Sequence, residues 1–306
     1  MSSEAIIRRY VPTDKPAILD ICKDVYGGRD YIPRVIDEYT NNDTDVLVEA
    51  PSISAPVRAL LCGAQDGSLY HIWGARTHPS ERGKGIMRKL MQHVERNERH
   101  EGTERAKMDV TLVSTTIREN ASMLRLFETS GFVEHENEMW LWPDSSISEE
   151  KDCTMTFVMN HYFERMNDTS RPPARLTACS CVDELRVAVR RARGTDDDRW
   201  IPASYEVIAC DGRIMQDAID NGDVFVSETL NAVVGVFGDQ LGGIVLSVVC
   251  SASVLGDVLG AIHREIGIRT IKRMYVDTCG TNLSTAHFVH GAPRGWTSYI
   301  VLSKGC

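Results

Sequence analysis

Between Asp45 and Val94 the chain runs through three strand-like segments and then into Ser80-Glu81-Arg82-Gly83-Lys84-Gly85-Ile86-Met87, where two glycines and two cations stand directly ahead of an apolar helical pattern. The strand-like runs are Asp45 to Glu49, Val57 to Gln65 and Leu69 to Thr77, with Asp66-Gly67 as a turn between the last two; together they predict an antiparallel meander. Ile86, Leu90 and Val94 follow at helical spacing, so Lys84 to Glu98 reads as a helix. A helix N-terminus presents backbone N–H groups without intrahelical acceptors, at the positive end of the macrodipole. Gly83 and Gly85 keep side chains out of the approach, and Arg82 and Lys84 add charge that suits a pyrophosphate.

Two phosphate loops are excluded by spacing. A Walker loop needs a glycine five residues before its Gly-Lys pair and a Ser or Thr directly after it, and this chain has His78 and Gly85 there. A dinucleotide fingerprint needs wider glycine spacing inside a parallel βαβ unit, whereas this strand belongs to a meander.

Around this centre the pattern predicts a strand at Ala5 to Val11, a helix from Thr13 to Val25, a loop at Tyr26 to Pro33, a short helix at Arg34 to Tyr39, a strand at Lys107 to Ser114, a helix at Asn120 to Ser130 capped by Gly131, and a strand at Glu138 to Trp142. Polar Pro143 to Glu150 marks a boundary, and Asn167 to Arg175 reads as a surface loop. The order then recurs. A helix near Gly212 to Ile219 precedes strands at Asp223 to Ser227, Ala232 to Gly238 and Gly243 to Cys250, a helix at Ser253 to Glu265, a strand at Thr270 to Val276, a helix at Leu283 to Val289 and a strand at Thr297 to Leu302. This predicts an α/β (α+β) protein of two domains, 1–145 and 146–306, the second a diverged copy of the first.

Composition narrows the partners. With 34 Lys+Arg against 43 Asp+Glu the net charge is -9, the wrong sign for a protein that binds a polyanion, so no nucleic acid partner is expected. Ile6 and Ile7 run into Arg8 and Arg9 without a signal-peptide pattern, and Gly242 to Ile262 reads as strand then helix, so no membrane association is expected. Nine scattered cysteines form no zinc or redox pattern. We expect reduced thiols, a cytoplasmic protein and no metal.

Ala75-Arg76-Thr77-His78-Pro79 followed by Arg82 to Met87 resembles the coenzyme A motif of the GNAT superfamily of N-acetyltransferases, written Q/R-x-x-G-x-G/A after a strand that ends hydrophobic-x-hydrophobic-x-Pro. Asn120 and the segment Leu126 to Phe132 resemble the later helix of that superfamily and its Gly-Phe ending. The loop Tyr26-Gly27-Gly28-Arg29-Asp30-Tyr31-Ile32-Pro33 is similar to that of histidine N-acetyltransferase-like proteins, which carry a degenerate second copy; Arg199 to Pro202 and Gly291 to Leu302 look similar to their tails. The resemblance implies a GNAT fold, a mixed central sheet with flanking helices, followed by a degenerate GNAT-like domain. It implies an acetyl-CoA-dependent N-acetyltransferase acting on a small-molecule amine, an amino acid such as L-histidine, by direct attack in a ternary complex.

It also implies roles. Ala75, Thr77, Arg82, Gly83, Lys84, Gly85, Ile86, Met87 and Asn120 would hold the cofactor, and a backbone N–H near Gly74 or Ala75 would polarise the thioester carbonyl. The general base expected as Glu falls on Trp73; His71, two residues earlier on the same strand face, is the best candidate, and Glu49 is a second, read as a solvated strand-end carboxylate. The usual proton-donating tyrosine falls on Phe127, leaving water, Tyr26 or Tyr31 to protonate the thiolate. Tyr26, Asp30, Tyr31 and Trp73 would line the acceptor, Asp30 also serving as a turn cap, and Arg29 or Arg58 would meet an acceptor carboxylate. Cys250 to Val254 stands where a second phosphate loop would be, with neither glycine nor cation. Trp73, Phe127 and Met87 depart from the pattern and keep open two alternatives, a non-catalytic acyl-CoA-binding protein and a protein or peptide N-acetyltransferase.

Overall fold

The computed structural model describes residues 5–40, 44–100, 110–142, 153–154, 175–203, 206–238, 244–266, 270–271, 273–279 and 297–305. Pro143 to Glu150, 167–174, 283–289 and 291–296, where a boundary, a loop, a helix and a tail are expected, lie outside them. The chain gathers into two compact units, one holding residues 1–114, 122–133 and 303–306, the other 115–121 and 134–302.

The first unit opens with β1 (Ile6–Arg9), α1 (Lys15–Cys22) and α2 (Ile32–Tyr39), then β2 (Asp45–Ala50), β3 (Ala59–Asp66), β4 (Leu69–Thr77), α3 (Ile86–His100), the start of β5 (Thr111–Ile117) and most of α4 (Ala121–Thr129). Strands β1 to β5 pair in chain order, antiparallel as far as β4 and parallel between β4 and β5. Helices α1 and α2 place Ile18, Ile21, Ile32 and Ile36 against Val46, Val48, Leu60 and Cys62 in one buried cluster. Strand alternation turns Leu47 and Leu61 to the opposite face, and α3 packs on β2, β3 and β4 through buried Ile86, Leu90, Met91 and Val94.

The second unit contains β6 (Val133–Trp142) from Glu134 on, β7 (Cys153–Thr154), β8 (Thr177–Ala178), α5 (Val182–Arg193), β9 (Trp200–Ala203), β10 (Glu206–Ala209), α6 (Arg213–Asp220), β11 (Val224–Ser227), β12 (Ala232–Gly238), β13 (Ile244–Val249), α7 (Leu255–Ala261), β14 (Thr270–Ile271) and β15 (Arg273–Asp277); β16 (Thr297–Gly305) follows. Its sheet runs β6-β15-β13-β12-β11-β8, antiparallel except between β13 and β15. The connectivity β8-α5-α6-β11-β12-β13-α7-β15 repeats β1-α1-α2-β2-β3-β4-α3-β5, with the β9–β10 hairpin inserted between the helices. Here too the helices cover both faces, α5 and α6 over Val226, Val233 and Val249, and α7 over Val234, Leu246 and Val276.

The structure corrects several boundaries. Helix α2 begins at Ile32 because proline is at home in a first turn, and α3 begins at Ile86 because Gly83 and Gly85 hold positive φ angles of 77° and 74° that a helix excludes. The hairpin loop between β3 and β4 is Gly67-Ser68, since Asp66 still pairs with Leu69. Strand β5 lies at Thr111–Ile117 and β6 begins at Val133. The helix expected over Ser253 to Glu265 divides into a 3-10 turn, α7 and a π turn, and the strand expected over Thr270 to Val276 divides into β14 and β15. Helix α5 and the β9–β10 hairpin were not anticipated from the residue pattern.

Candidate active site

The site begins with an irregularity in β4. Leu60 pairs with Arg76 and Cys62 with Trp73, so Gly74 and Ala75 stand against Leu61 alone. This is a bulge, and Gly74 carries it at φ +62°, where an added Cβ would lie 2.9 Å from Ile32 Cδ1 and 3.0 Å from Cys62 Sγ. On the other edge of β4 the parallel register with β5 comprises Leu69–Thr111, Tyr70–Leu112 and His71–Val113, and the Ser114 hydroxyl donates to Ile72 O at 2.8 Å. Beyond that point β4 continues through Gly74, Ala75, Arg76 and Thr77 into the glycine loop.

The loop is a cradle. Pro79–Glu81 forms one 3-10 turn, with Glu81 N donating to His78 O at 2.9 Å. A Cβ built at Gly83 or Gly85 meets nothing within 4 Å, so the missing side chains leave open space ahead of α3. Arg82, Gly83, Lys84 and Gly85 are exposed, Ile86 is buried and Met87 half-buried on the helix flank. Lys84 Nζ lies 3.0 Å from Glu81 Oε1, and its hydrogen bond is the largest cause holding the Glu81 carboxyl below its ordinary value. Arg82 Nε donates to Thr77 O at 3.4 Å.

A second group of side chains gathers beside β4. Trp73 packs with Tyr31 and Tyr39 against the α1/α2 core; Tyr39 meets its ring edge-on at 5.8 Å, and His71 stacks on it at 5.3 Å. His71 is 8% exposed. The Trp73 indole Nε1 is buried with no hydrogen-bond partner among the described residues. Arg76 reaches Asp30 through Nε at 2.6 Å and Nη2 at 3.0 Å and donates from Nη1 to Ala75 O at 3.0 Å, while Asp30 also accepts from Ile32 N at 3.2 Å. Burial by itself would raise the Asp30 carboxyl; the hydrogen bonds and charge of Arg76 outweigh it and hold the group below its ordinary range. The Arg76 guanidinium lies 5.3 Å from the Tyr26 ring centroid and 5.9 Å from that of Tyr31. Tyr26 opens a run of three left-handed residues with Gly27 and Gly28, and its ring is exposed. Burial pushes the Tyr31 phenol well above its ordinary value.

Glu49, expected at a solvated strand end, is 1% exposed. Arg58 grips it through Nε at 3.0 Å and through Nη2, because β2 brings it beside the start of β3. Asn120 falls in the second unit, where its Nδ2 donates to Thr116 Oγ1 at 3.3 Å. Phe127 is buried and meets Phe132 edge-on at 4.9 Å, a packing residue without a hydroxyl. Burial pushes the thiols of Cys22 and Cys62 up to about 12, so neither supplies a thiolate near neutral pH. Sequence reasoning missed Arg76, the cation at the centre of the Asp30, Tyr26 and Tyr31 group. Alternation along β4 was the available signal, and the bulge at Gly74 obscured its parity. Among the described residues no group of three His, Cys, Asp or Glu gathers to hold a metal ion, and no helix is long and apolar enough to cross a membrane.

Comparison with known proteins agrees with this geometry. Residues 17–132 match the model of the Acetyltransferase (GNAT) family. A search of curated protein sequences finds no match. Among solved structures, a candidate acetyltransferase from Thermoplasma acidophilum superposes with a TM-score of 0.54 at 16% identity, over 98% of this chain and 100% of that one. A GCN5-related N-acetyltransferase from Sphaerobacter thermophilus aligns over 98% of this chain and 95% of its own, with a TM-score of 0.47 and 17% identity. The fold likeness to the Thermoplasma protein therefore extends through both units, and residues 17–132 of this chain form an acetyltransferase domain of the GNAT family.

Proposed function

We propose that the first unit transfers acetyl from acetyl-CoA to the amino group of a small molecule, an amino acid such as L-histidine, by direct attack in a ternary complex. Acetyl-CoA is the donor that GNAT acetyltransferases use, and when bound it supplies an activated thioester. The observation that carries this reading is the course of β4, which outruns its pairing with β5, bulges at Gly74 and leads straight to an open two-glycine cradle at the start of α3. That cradle fits a pyrophosphate. Arg82 and Lys84 supply cations, Gly83 and Gly85 supply room, and the N–H groups of Ile86 and Met87 supply donors at the helix end. The backbone of Gly74 to Thr77, Ala75 included, offers strand-like pairing to an extended pantetheine arm.

In this reading the amine nitrogen forms its bond to the acetyl carbon while the carbon–sulfur bond breaks. A backbone N–H at Gly74 or Ala75 meets the negative charge that develops on the carbonyl oxygen. His71 takes the proton from the amine, directly or through one water, whereas Glu49 is committed to Arg58. The departing sulfur takes its proton from water, because Phe127 has no hydroxyl and burial makes Tyr31 the poorer donor. Tyr26, Tyr31 and Trp73 form the aromatic wall of the acceptor site, and Asp30 fixes Arg76. Among the described residues three of the five guanidinium N–H groups of Arg76 are taken by Asp30 and Ala75, which leaves two for an acceptor carboxylate. That supports an amino acid as the acceptor. Cys22, Cys62, Cys179, Cys181, Cys210, Cys250 and Cys279 are free thiols, which supports a cytoplasmic setting.

In this reading residues 146–306 are a degenerate GNAT-like copy of residues 1–145; the repeated connectivity from β8 to β15 supports it. The Ser251-Ala252-Ser253-Val254 turn ahead of α7 carries a buried Ala252 and neither glycine nor cation. The test is His71→Gln. Turnover should fall roughly 100-fold while coenzyme A affinity stays unchanged, as expected for loss of a general base. Unchanged turnover would remove His71 from the mechanism.

A further inference from the structure

A phosphate-binding loop gains nothing from a carboxylate, yet this one contains Glu81, and its side chain is only 19% exposed. Lys84 holds one oxygen of Glu81 at 3.0 Å. When Lys84 turns toward a phosphate, that contact weakens and the Glu81 charge faces the anion. The other carboxylate oxygen looks to Arg58, whose Nη1 lies 3.5 Å away. Arg58 is itself fixed from three sides. Its Nε and Nη2 grip the buried Glu49, its N donates to Glu49 O at 2.8 Å, and its O accepts from His78 N at 2.8 Å, immediately ahead of the loop.

We propose that Arg58 is a positioning residue for coenzyme A, which neutralises Glu81 and ties the pyrophosphate loop to β2 and β3 through Glu49. The proposal rests on reading that loop as the pyrophosphate cradle. It assigns a shared role to two residues that have no place in the chemistry. Arg58 does not meet the acceptor and Glu49 does not take its proton. Glu49 fixes Arg58, Arg58 compensates Glu81, and Lys84 is thereby released to the ligand. The rigid fork of the guanidinium suits this, because it grips Glu49 with two nitrogens and turns the third toward Glu81.

The test is the dissociation constant of coenzyme A, measured by calorimetry on the full chain for the unsubstituted protein, Arg58→Gln, Glu81→Gln and the double variant at one salt concentration. Arg58→Gln should weaken binding roughly tenfold, and adding Glu81→Gln should restore most of that loss, since the two charges act as a coupled pair. A merely structural Arg58, needed only to bury Glu49, would lose affinity without rescue, and that result overturns the proposal. So does an Arg58→Gln protein that binds as tightly as the unsubstituted one. Glu81→Gln alone, a loop change that spares the Glu49 contact, should bind at least as tightly as the starting protein, and about a tenfold loss contradicts the proposal even if Arg58→Gln fails to fold. No binding by the unsubstituted protein would instead bring down the assignment of the loop to a pyrophosphate, and this proposal with it.

Discussion

Asp30 illustrates what a single residue conceals. As a turn aspartate ahead of Ile32-Pro33 it was readable as a cap, and its bond to Ile32 N fits that, but its stronger partner is Arg76, 46 residues away. No local pattern encodes such a pair. Arg76 is 12% exposed and Asp30 1%, so removing the carboxylate strands a buried cation. Asp30→Asn should cost about 3 kcal/mol near neutral pH, measured by urea unfolding. The pH dependence has a definite sign. Since the folded Asp30 pKa lies below the ordinary value of 3.8, the pair's contribution is fully present above that value and disappears as pH falls through the lower folded one. The stability gap between the two proteins should therefore be flat from about pH 5 to 8 and close below about pH 4. A gap that closed on the alkaline side instead would rule out Asp30 as its source. Trp73 and Phe127 were legible as departures, whereas the burial of Glu49 was not, because its position at a strand end gave no sign of Arg58 across the turn.

At the scale of elements, β4 is the part that makes a sheet into a site. Its existence, its place in a meander and the helix after it were all legible from alternation and from the glycines at 83 and 85. The bulge was not, because the residue that carries it, Gly74, reads in sequence only as a weak spot in a strand. Gly74→Ala forces a Cβ to within 3.0 Å of Cys62 Sγ and puts a side chain at φ +62°. We expect a loss of about 1–3 kcal/mol in denaturant unfolding, together with lower turnover as the peptide groups at 74 and 75 re-aim. A variant with full stability and full turnover would show that the bulge is incidental. Helix α5 was missed although its signs were present: Val182, Leu185 and Val189 at helical spacing, Asp183 and Glu184 in its first turn, arginines in its last, and Gly194 at φ +66° as the C-cap. The run of arginines from 186 to 193 hid the narrow apolar stripe. Arg193 turned out to be buried, paired with Asp277 and lying over Trp200 at 3.8 Å.

For the whole molecule, the recurrence of three strands, a helix and a strand was readable from hydrophobic patterning, and the structure extends the repeat backward to β8, α5 and α6. The course of the chain between its compact units was not readable. Residues 115–121 group with the second unit and 303–306 with the first, where Lys304 reaches Glu95 at 2.8 Å and Ser130 O at 2.9 Å. Such long-range returns leave no mark in local sequence. The candidate site was legible in proportion to locality: the glycine loop is eight consecutive residues, while the Arg76 group draws on α2, β4 and the loop before α2. Acetylation of the amine of an amino acid is the proposed activity, and it is the one that the roles proposed for His71, Arg76 and the cradle share. The most direct measurement is release of free coenzyme A from acetyl-CoA by the purified protein, with each of the twenty amino acids offered separately. Saturable release with one acceptor, histidine foremost, is the predicted result; release that no amino acid raises above background, from a protein that still binds acetyl-CoA, would contradict it.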